Sequence, residues 1–109
     1  MKVKELADKL GLKAVNAYKD KDVESVYISD MVSDIITAAK ANSLLITLQT
    51  HKSLIAAANL VDVAMIVFVK GKTPASDVVE LATKAGIGLF VSEADTWTFA
   101  RKLAEIGLK

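Results

Sequence analysis

Apolar runs alternate with helix-like stretches along most of the chain. Residues 44–48 form a mostly apolar run that is typical of a strand covered on both faces, and residues 64–69 repeat it. Weaker runs predict strands at residues 23–28 and 88–91, and a short first strand at residues 12–17. Strands thus begin near residues 24, 44, 64 and 88, each followed by a helix. This order predicts a three-layer α/β/α fold with a mainly parallel sheet of four or five strands, in a single domain over residues 1–109.

Glycine, proline and capping residues mark the predicted helix ends. Gly11 is expected to end a short first helix and Gly86 the fourth. The expected N-terminal caps are Asp30 or Ser33 for the second helix, Thr50 or His51 for the third, Thr73 before Pro74 for the fourth, and Ser92 in a capping box for the last. The closing helix is expected to turn four residues inward, namely Trp97, Ala100, Leu103 and Ala104.

Composition narrows the class of protein. Apolar residues make up 52% and aromatic residues only 6%, so the core must be aliphatic. The apolar excess and the alanine-rich helices predict a homodimer, with its seam first expected within residues 42–60. A net charge of +1, with both signs mixed along the chain, indicates neither a nucleic-acid partner nor a membrane surface.

The lack of cysteine removes several kinds of chemistry. Without cysteine the chain has no disulfide, thiolate metal ligand or cysteine nucleophile. No run approaches the roughly eighteen apolar residues that a membrane-spanning helix needs. The amphipathic start lacks the apolar core of a signal peptide, so a cytoplasmic location is expected.

Polar loops follow each of the four main predicted strands. The carboxyl ends of parallel strands meet at one edge, and the helix N-termini point there, so these loops together predict a site for a small anionic or nucleotide-like ligand. The alternative is that the same residues are only helix caps and loop polars. The candidate ligand-binding residues are Ser29, Asp30, Gln49, Thr50, His51, Lys70, Gly71, Lys72, Thr73, Glu93, Asp95 and Thr96.

The only histidine, His51, leaves an enzymatic interpretation open. At a strand end it is placed for acid/base chemistry with Asp30 or Glu93 on an anionic substrate. The alternatives are a helix cap or a contact across a subunit boundary. A lone histidine without partners does not predict a metal site. We assign no catalytic residue, metal or cofactor from the sequence.

Two further features have alternative interpretations. The Lys70-Gly71-Lys72 turn combines two ammonium groups with a flexible residue ahead of a helix, as a phosphate clamp would, or it is a solvated turn. Trp97, the only tryptophan, either stacks on an adenine ring or fills the core or a dimer seam.

Taken together, the segments resemble the DRTGG domain family over nearly the whole chain. Residues 3–13 resemble its first helix and strand, 33–36 its next helix start, 44–51 its central strand, 74–86 its following helix, and 95–100 its closing acidic-Thr-aromatic helix start. The literal DRTGG string is absent. The Gly-Asp-Arg loop of many members is replaced by Ser29-Asp30-Met31, so an arginine that could hold an anion is missing there.

The resemblance implies a regulatory or ligand-sensing module rather than an enzyme. Members of the family occur fused to phosphotransacetylases, in the non-catalytic half of HPr kinase/phosphorylase, and between CBS domains of pyrophosphatases. It implies a homodimer that senses a nucleotide or phosphorylated metabolite beside a partner enzyme. A protein–protein adaptor without a small ligand is a further alternative. No P-loop occurs in the chain, so we reject kinase activity.

Overall fold

A computed structural model describes residues 1–108 as alternating strands and helices. Its elements are α1 (Val3–Leu10), β1 (Ser25–Ile28), α2 (Val32–Ala38), β2 (Ser43–Thr47), α3 (Lys52–Leu60), β3 (Met65–Phe68), α4 (Ser76–Ala85), β4 (Gly88–Val91) and α5 (Thr96–Glu105). The predicted α/β order is therefore confirmed.

The four strands form one parallel sheet in the order β1-β2-β3-β4. Each strand lies beside the next along the chain, so every crossover runs over the same side of the sheet. The short strand predicted at residues 12–17 is wrong, because this segment makes only an isolated antiparallel bridge between Ala14 and Phe90. Its backbone and the Asn16 side chain instead bond along the outer edge of β4.

Helices cover both faces of the sheet and give two separate cores. On one face α3 packs between α2 and α4, over Leu45 and Ile66 of the central strands. On the other face α1 and α5 cover Leu44 and Val67. Successive side chains of the central strands therefore point to opposite cores, which explains why their sequence is apolar without alternation.

Glycine correctly marked helix ends, whereas several expected N-terminal caps are wrong. Gly11 and Gly86 end α1 and α4 in the left-handed conformation, and His51 caps α3, as predicted. The cap residue of α2 is Met31, which makes no side-chain cap bond, in place of Asp30 or Ser33. Those of α4 and α5 are Ala75 and Asp95, in place of Thr73 and Ser92.

The inward face of α5 differs from the prediction. Phe99 and Leu103 are buried, whereas Trp97 is 72% exposed and Ala104 also faces out. Phe99 and Leu103 are four residues apart and form the buried part of the apolar stripe, and the half-buried Ala100 and Ile106 pack against the same core. Trp97, two residues before Phe99, is therefore turned away, and its interpretation as a core residue is wrong.

The helices are short, and within residues 1–108 none combines the length and apolar character that crossing a membrane requires.

Candidate functional site

The loops that leave the four strands lie along one rim of the sheet, because all four strands run in the same direction. Neighbouring loops are joined by hydrogen bonds. The backbone N–H of Leu48 donates to Asp30 Oδ1 at 2.7 Å, and that of Lys70 donates to the Ala94 carbonyl at 2.8 Å. The rim predicted from topology is therefore present as one connected surface.

A buried hydroxyl ties together the loops after β1 and β2. Thr47 is 2% exposed, and its Oγ1 donates to Asp30 Oδ1 at 2.9 Å while accepting the Gln49 N–H at 3.0 Å. Gln49 Oε1 in turn accepts the backbone N–H of His51 at 3.0 Å. The carboxylate of Asp30 thus holds the β2 exit in place and takes up donors that a bound anion would need.

An open depression of about 570 Å³ lies beside Asp30 at the β1 end of the rim. It is lined by Ser29, Asp30, Met31 and Asp34. The Tyr27 hydroxyl donates to Asp34 Oδ2 at 2.8 Å. Hydrogen bonds from the Ser29 and Tyr27 hydroxyls lower the pKa of Asp34, and the same bond to Asp34 raises the pKa of Tyr27. The depression is therefore acidic and suits groups that donate hydrogen bonds.

His51 acts as the N-terminal cap of α3. Its Nδ1 accepts the backbone N–H of Ser53 at 3.1 Å and lies 2.9 Å from the Ser53 hydroxyl. Nδ1 must be unprotonated to accept the backbone N–H, so the ring proton of a neutral His51 is on Nε2. Asp30 is bonded to the β2 exit and Glu93 lies over the β3 turn, so no direct His51–Asp30 or His51–Glu93 hydrogen bond forms among the described residues.

The loop after β3 is a tight turn held by the loop after β4. Lys70 and Gly71 have φ angles of +57° and +66°, and the Lys72 N–H donates to the Val69 carbonyl at 3.2 Å, the arrangement of a type I′ turn. The N–H groups of Lys70 and Gly71 donate to carbonyls of the next loop, both at 2.8 Å. The backbone of the predicted phosphate clamp is therefore already bonded, which leaves only its ammonium groups for an anion.

Acidic side chains of the loop after β4 lie against this turn. A Cβ atom built on Gly71 would be 2.6 Å from Glu93 Oε2, so the Glu93 carboxylate rests over the turn. Asp95 caps α5 by accepting the Thr98 N–H at 2.7 Å. This bond, with a smaller contribution from the positive charge of Lys70, lowers the pKa of Asp95.

The rim brings the predicted residues together as two groups. Ser29, Asp30 and Gln49 belong to the acidic half, with Thr50 half-buried and His51 at the following helix start. Lys70, Gly71, Lys72, Thr73, Glu93, Asp95 and Thr96 form the mixed-charge half, where the Thr73 hydroxyl donates to the Gly71 carbonyl at 3.3 Å and Thr96 begins α5.

Three residues at the rim were missed as site residues, namely Met31, Asp34 and Thr47. Asp34 follows Asp30 by four residues, a spacing that could have indicated a shared surface at the helix start. Within residues 1–108 no three His, Asp or Glu side chains are grouped so that they could hold a metal ion.

The fold and the rim define a three-layer α/β domain with candidate binding loops at the carboxyl edge of a parallel sheet. A family model of the DRTGG domain matches residues 5–106. The chain therefore belongs to the DRTGG domain family, which confirms the resemblance. A comparison with curated proteins finds no matching sequence.

A solved structure with a similar fold is the CBS and DRTGG domains of the regulatory region of Clostridium perfringens pyrophosphatase, complexed with its activator diadenosine tetraphosphate. The TM-score is 0.72 at 19% sequence identity, and the match covers 93% of this chain. The chain spans 45% of the length of that protein's chain. The family match thus identifies the chain as a DRTGG domain, and the structural match shows that its fold is similar to this part of the pyrophosphatase.

Proposed function

We propose that this chain is a non-catalytic ligand-sensing module that binds a nucleotide or another phosphorylated metabolite along the rim. In this proposal residues 1–109 act as one domain, as a homodimer, and beside a partner enzyme whose activity the ligand controls. Support comes from the DRTGG family match and from the similar fold of a regulatory region that was solved with a dinucleotide activator.

The observation that supports a nucleotide best is the division of the rim into two chemically different halves. Asp30 and Asp34 line the depression at the β1 end and offer acceptors for sugar hydroxyls and amino groups. The exposed Met31 side chain beside them offers an apolar surface for a base. Lys70 and Lys72 follow β3, which lies two strands away from β1. Two inter-strand spacings separate these strands by roughly 10 Å. A nucleoside at one half would direct its phosphates to the other.

The bonded backbone of the β3 turn sets the expected strength of phosphate binding. Because the N–H groups of Lys70 and Gly71 are engaged, phosphates would be held by exposed ammonium groups alone. Exposed ion pairs are weak and are screened by salt. We therefore expect moderate affinity that falls as ionic strength rises.

A thermal-shift titration tests the proposal directly. A ligand that binds only the native state at a hundred times its Kd stabilises by about 2.7 kcal/mol, a large rise in midpoint for a chain of this size. We expect ATP and ADP to raise the midpoint more than adenosine or inorganic triphosphate, since only the nucleotides reach both halves. No rise with any of them at millimolar concentration would refute nucleotide binding.

Charge variants test whether the ligand that raises the thermal midpoint binds at the rim. Lys70→Gln with Lys72→Gln should reduce the ATP shift and leave the smaller adenosine shift unchanged. The matched control is Lys84→Gln, which removes an exposed ammonium group on α4 that pairs with Glu80. Equal ATP shifts in the wild type and the lysine double variant would contradict the assignment of phosphates to the β3 turn.

Exposed apolar side chains favour the protein–protein adaptor as the second candidate. Trp97 is 72% and Leu60 69% exposed, and tryptophan is enriched in the energetic centres of interfaces. If no nucleotide shifts the midpoint, loss of partner binding in Trp97→Ala would support this alternative.

A further inference from the structure

The depression at the β1 end of the rim holds two carboxylates that the chain itself does not neutralise. Asp30 and Asp34 both line it, and within residues 1–108 no ion pair between side chains includes either of them. Because hydrogen bonds from hydroxyls lower the pKa of Asp34, its carboxylate is ionised at neutral pH. An ionised carboxylate accepts hydrogen bonds and donates none. The depression therefore offers acceptors to a ligand that brings donors.

Asp34 keeps acceptor positions that the chain does not use. Its Oδ2 accepts the Tyr27 hydroxyl at 2.8 Å, and the Ser29 hydroxyl also donates to this carboxylate. A carboxylate has about four lone-pair positions, so roughly two of them remain for a ligand. The two hydroxyls also restrict how the Asp34 side chain can turn, which fixes the direction in which the remaining positions point.

Asp30 is bound more closely to the framework of the rim. Its Oδ1 accepts both the Thr47 hydroxyl at 2.9 Å and the Leu48 N–H at 2.7 Å. Replacing Asp30 would loosen the β2 exit together with the depression. Asp34 is therefore the carboxylate whose contacts to a ligand can be changed without releasing the neighbouring loop.

An apolar surface lies beside the Asp34 carboxylate. Met31 is 63% exposed, lines the same depression and precedes Asp34 by three residues. A thioether side chain suits the face of a flat ring, because it is polarizable and apolar. The volume of about 570 Å³ lies within the usual range of small-molecule sites. A base lying on Met31 would present its polar edge to Asp34.

The common bases differ in what that edge offers to a carboxylate. Guanine carries adjacent donors, its N1–H and its 2-amino group. Adenine and cytosine place a ring nitrogen that accepts hydrogen bonds beside their amino group, and the uracil N3–H lies between carbonyls. Both oxygens of a carboxylate can therefore be matched by guanine, whereas with adenine or cytosine one oxygen would face a lone pair.

We propose that Asp34 selects guanine nucleotides by accepting the N1–H and 2-amino hydrogens of a base that lies on Met31. This inference rests on the proposed function, and it names the ligand class and the residue that recognises it. Paired hydrogen bonds to a base edge discriminate by about fivefold to a hundredfold, and the open depression places this site toward the lower end, about fivefold to tenfold.

Titrations of the full chain with different nucleoside triphosphates test this selection. Thermal-shift titrations at one ionic strength should give the lowest Kd for GTP and a Kd about fivefold to tenfold higher for ATP. ITP, which keeps the N1–H but lacks the 2-amino group, should fall between them. The phosphates are the same in all three, so the differences report on the base alone.

Asp34→Asn tests the residue by reversing the preference. The asparagine amide offers one donor and one acceptor, which match the 2-carbonyl and the N1–H of xanthine but not the paired donors of guanine. The variant should therefore bind GTP more weakly than the wild type and XTP more tightly. Its amide oxygen can still accept the Tyr27 hydroxyl, so the midpoint without ligand should stay close to that of the wild type.

Asp62→Asn is the matched control for the loss of an exposed carboxylate. Asp62 precedes β3, at the edge of the sheet opposite to the rim. Its φ of +58° is a conformation that asparagine also adopts. This variant should keep the wild-type order of GTP, ITP and ATP, and it should not gain affinity for XTP.

The outcomes separate this inference from the proposed function. Equal Kd values for GTP and ATP, or an unchanged preference for GTP over XTP in Asp34→Asn, overturn the selection of guanine and leave nucleotide binding intact. Weak binding of 2′,3′-dideoxy-GTP with no effect of the base would show that the carboxylate holds the sugar, which also overturns it. No midpoint shift with any nucleotide refutes the proposed function itself.

Discussion

Replacing Gly71 by alanine measures how closely the β3 turn fits the loop beside it. Gly71 and Gly11 share a φ of +66°, but a Cβ at Gly71 would lie 2.6 Å from Glu93 Oε2, whereas one at Gly11 meets nothing within 4 Å. The left-handed conformation costs a residue with a Cβ about 1–2 kcal/mol. Gly11→Ala should lose that amount. Gly71→Ala should lose up to about 0.5 kcal/mol more, because the exposed Glu93 side chain can swing away.

Urea unfolding at neutral pH gives both free energies of unfolding on one scale, and each 1 kcal/mol lost should also lower the thermal midpoint by about 4–8 °C. The decisive comparison is made in a Glu93→Ala background. There the excess cost of Gly71→Ala over Gly11→Ala should vanish, since the carboxylate is gone. If Gly71→Ala is the milder change, or if its excess survives without Glu93, then the carboxylate does not rest over the turn.

Three other changes test the polar contacts of the fold. Ser43 has a buried hydroxyl with no partner among the described residues, so Ser43→Ala should raise stability in urea by about 1 kcal/mol, whereas Thr47→Val, which removes a bonded hydroxyl, should lower it by about 1–3 kcal/mol. His51→Asn should keep the α3 cap, the thermal midpoint and any ATP-induced shift of the midpoint, because asparagine also caps helices, whereas His51→Ala should lower the midpoint. Loss of ATP binding in His51→Asn would instead support a chemical role for the His51 imidazole. Because the pKa of Asp95 is lowered in the folded state, the Asp95 carboxylate stabilises the fold at pH values above the ordinary aspartate pKa of 3.8, and this contribution is lost as pH falls through the folded-state pKa. Asp95→Ala should therefore lower the thermal midpoint at pH 7 but not in strong acid. An equal difference in midpoint at both pH values would contradict the role of Asp95 as a cap.

The sequence was most informative where burial alone decides structure. The apolar runs of β2 and β3 predicted fully covered strands because no exposed face tolerates such runs. Helix starts were less predictable, since Thr73 and Ser92 have the chemistry of a cap without its position. The prediction that Trp97 fills the core was also wrong. Its size favours burial, but Phe99 and Leu103 occupy the buried face of α5.

For the candidate site, topology predicted which loops meet but not how their side chains are bonded. Parallel strands bring the loops to one rim whatever their sequence. That the Asp30 carboxylate turns to Leu48, or that Glu93 rests over Gly71, depends on distances of a few ångströms between loops. Such contacts join residues far apart in the chain, and no local pattern of residue types specifies them.

These internal contacts limit what a ligand can use. At three places on the rim the chain supplies its own acceptor to a backbone N–H that could otherwise hold an anion: Asp30 at β2, His51 at α3 and Asp95 at α5. A small inorganic anion would have to displace one of them. A larger ligand that donates hydrogen bonds to carboxylates and presents phosphate to lysine side chains would leave all three in place. Under the proposed function, the contacts that the rim leaves unused would therefore favour a nucleotide over free phosphate.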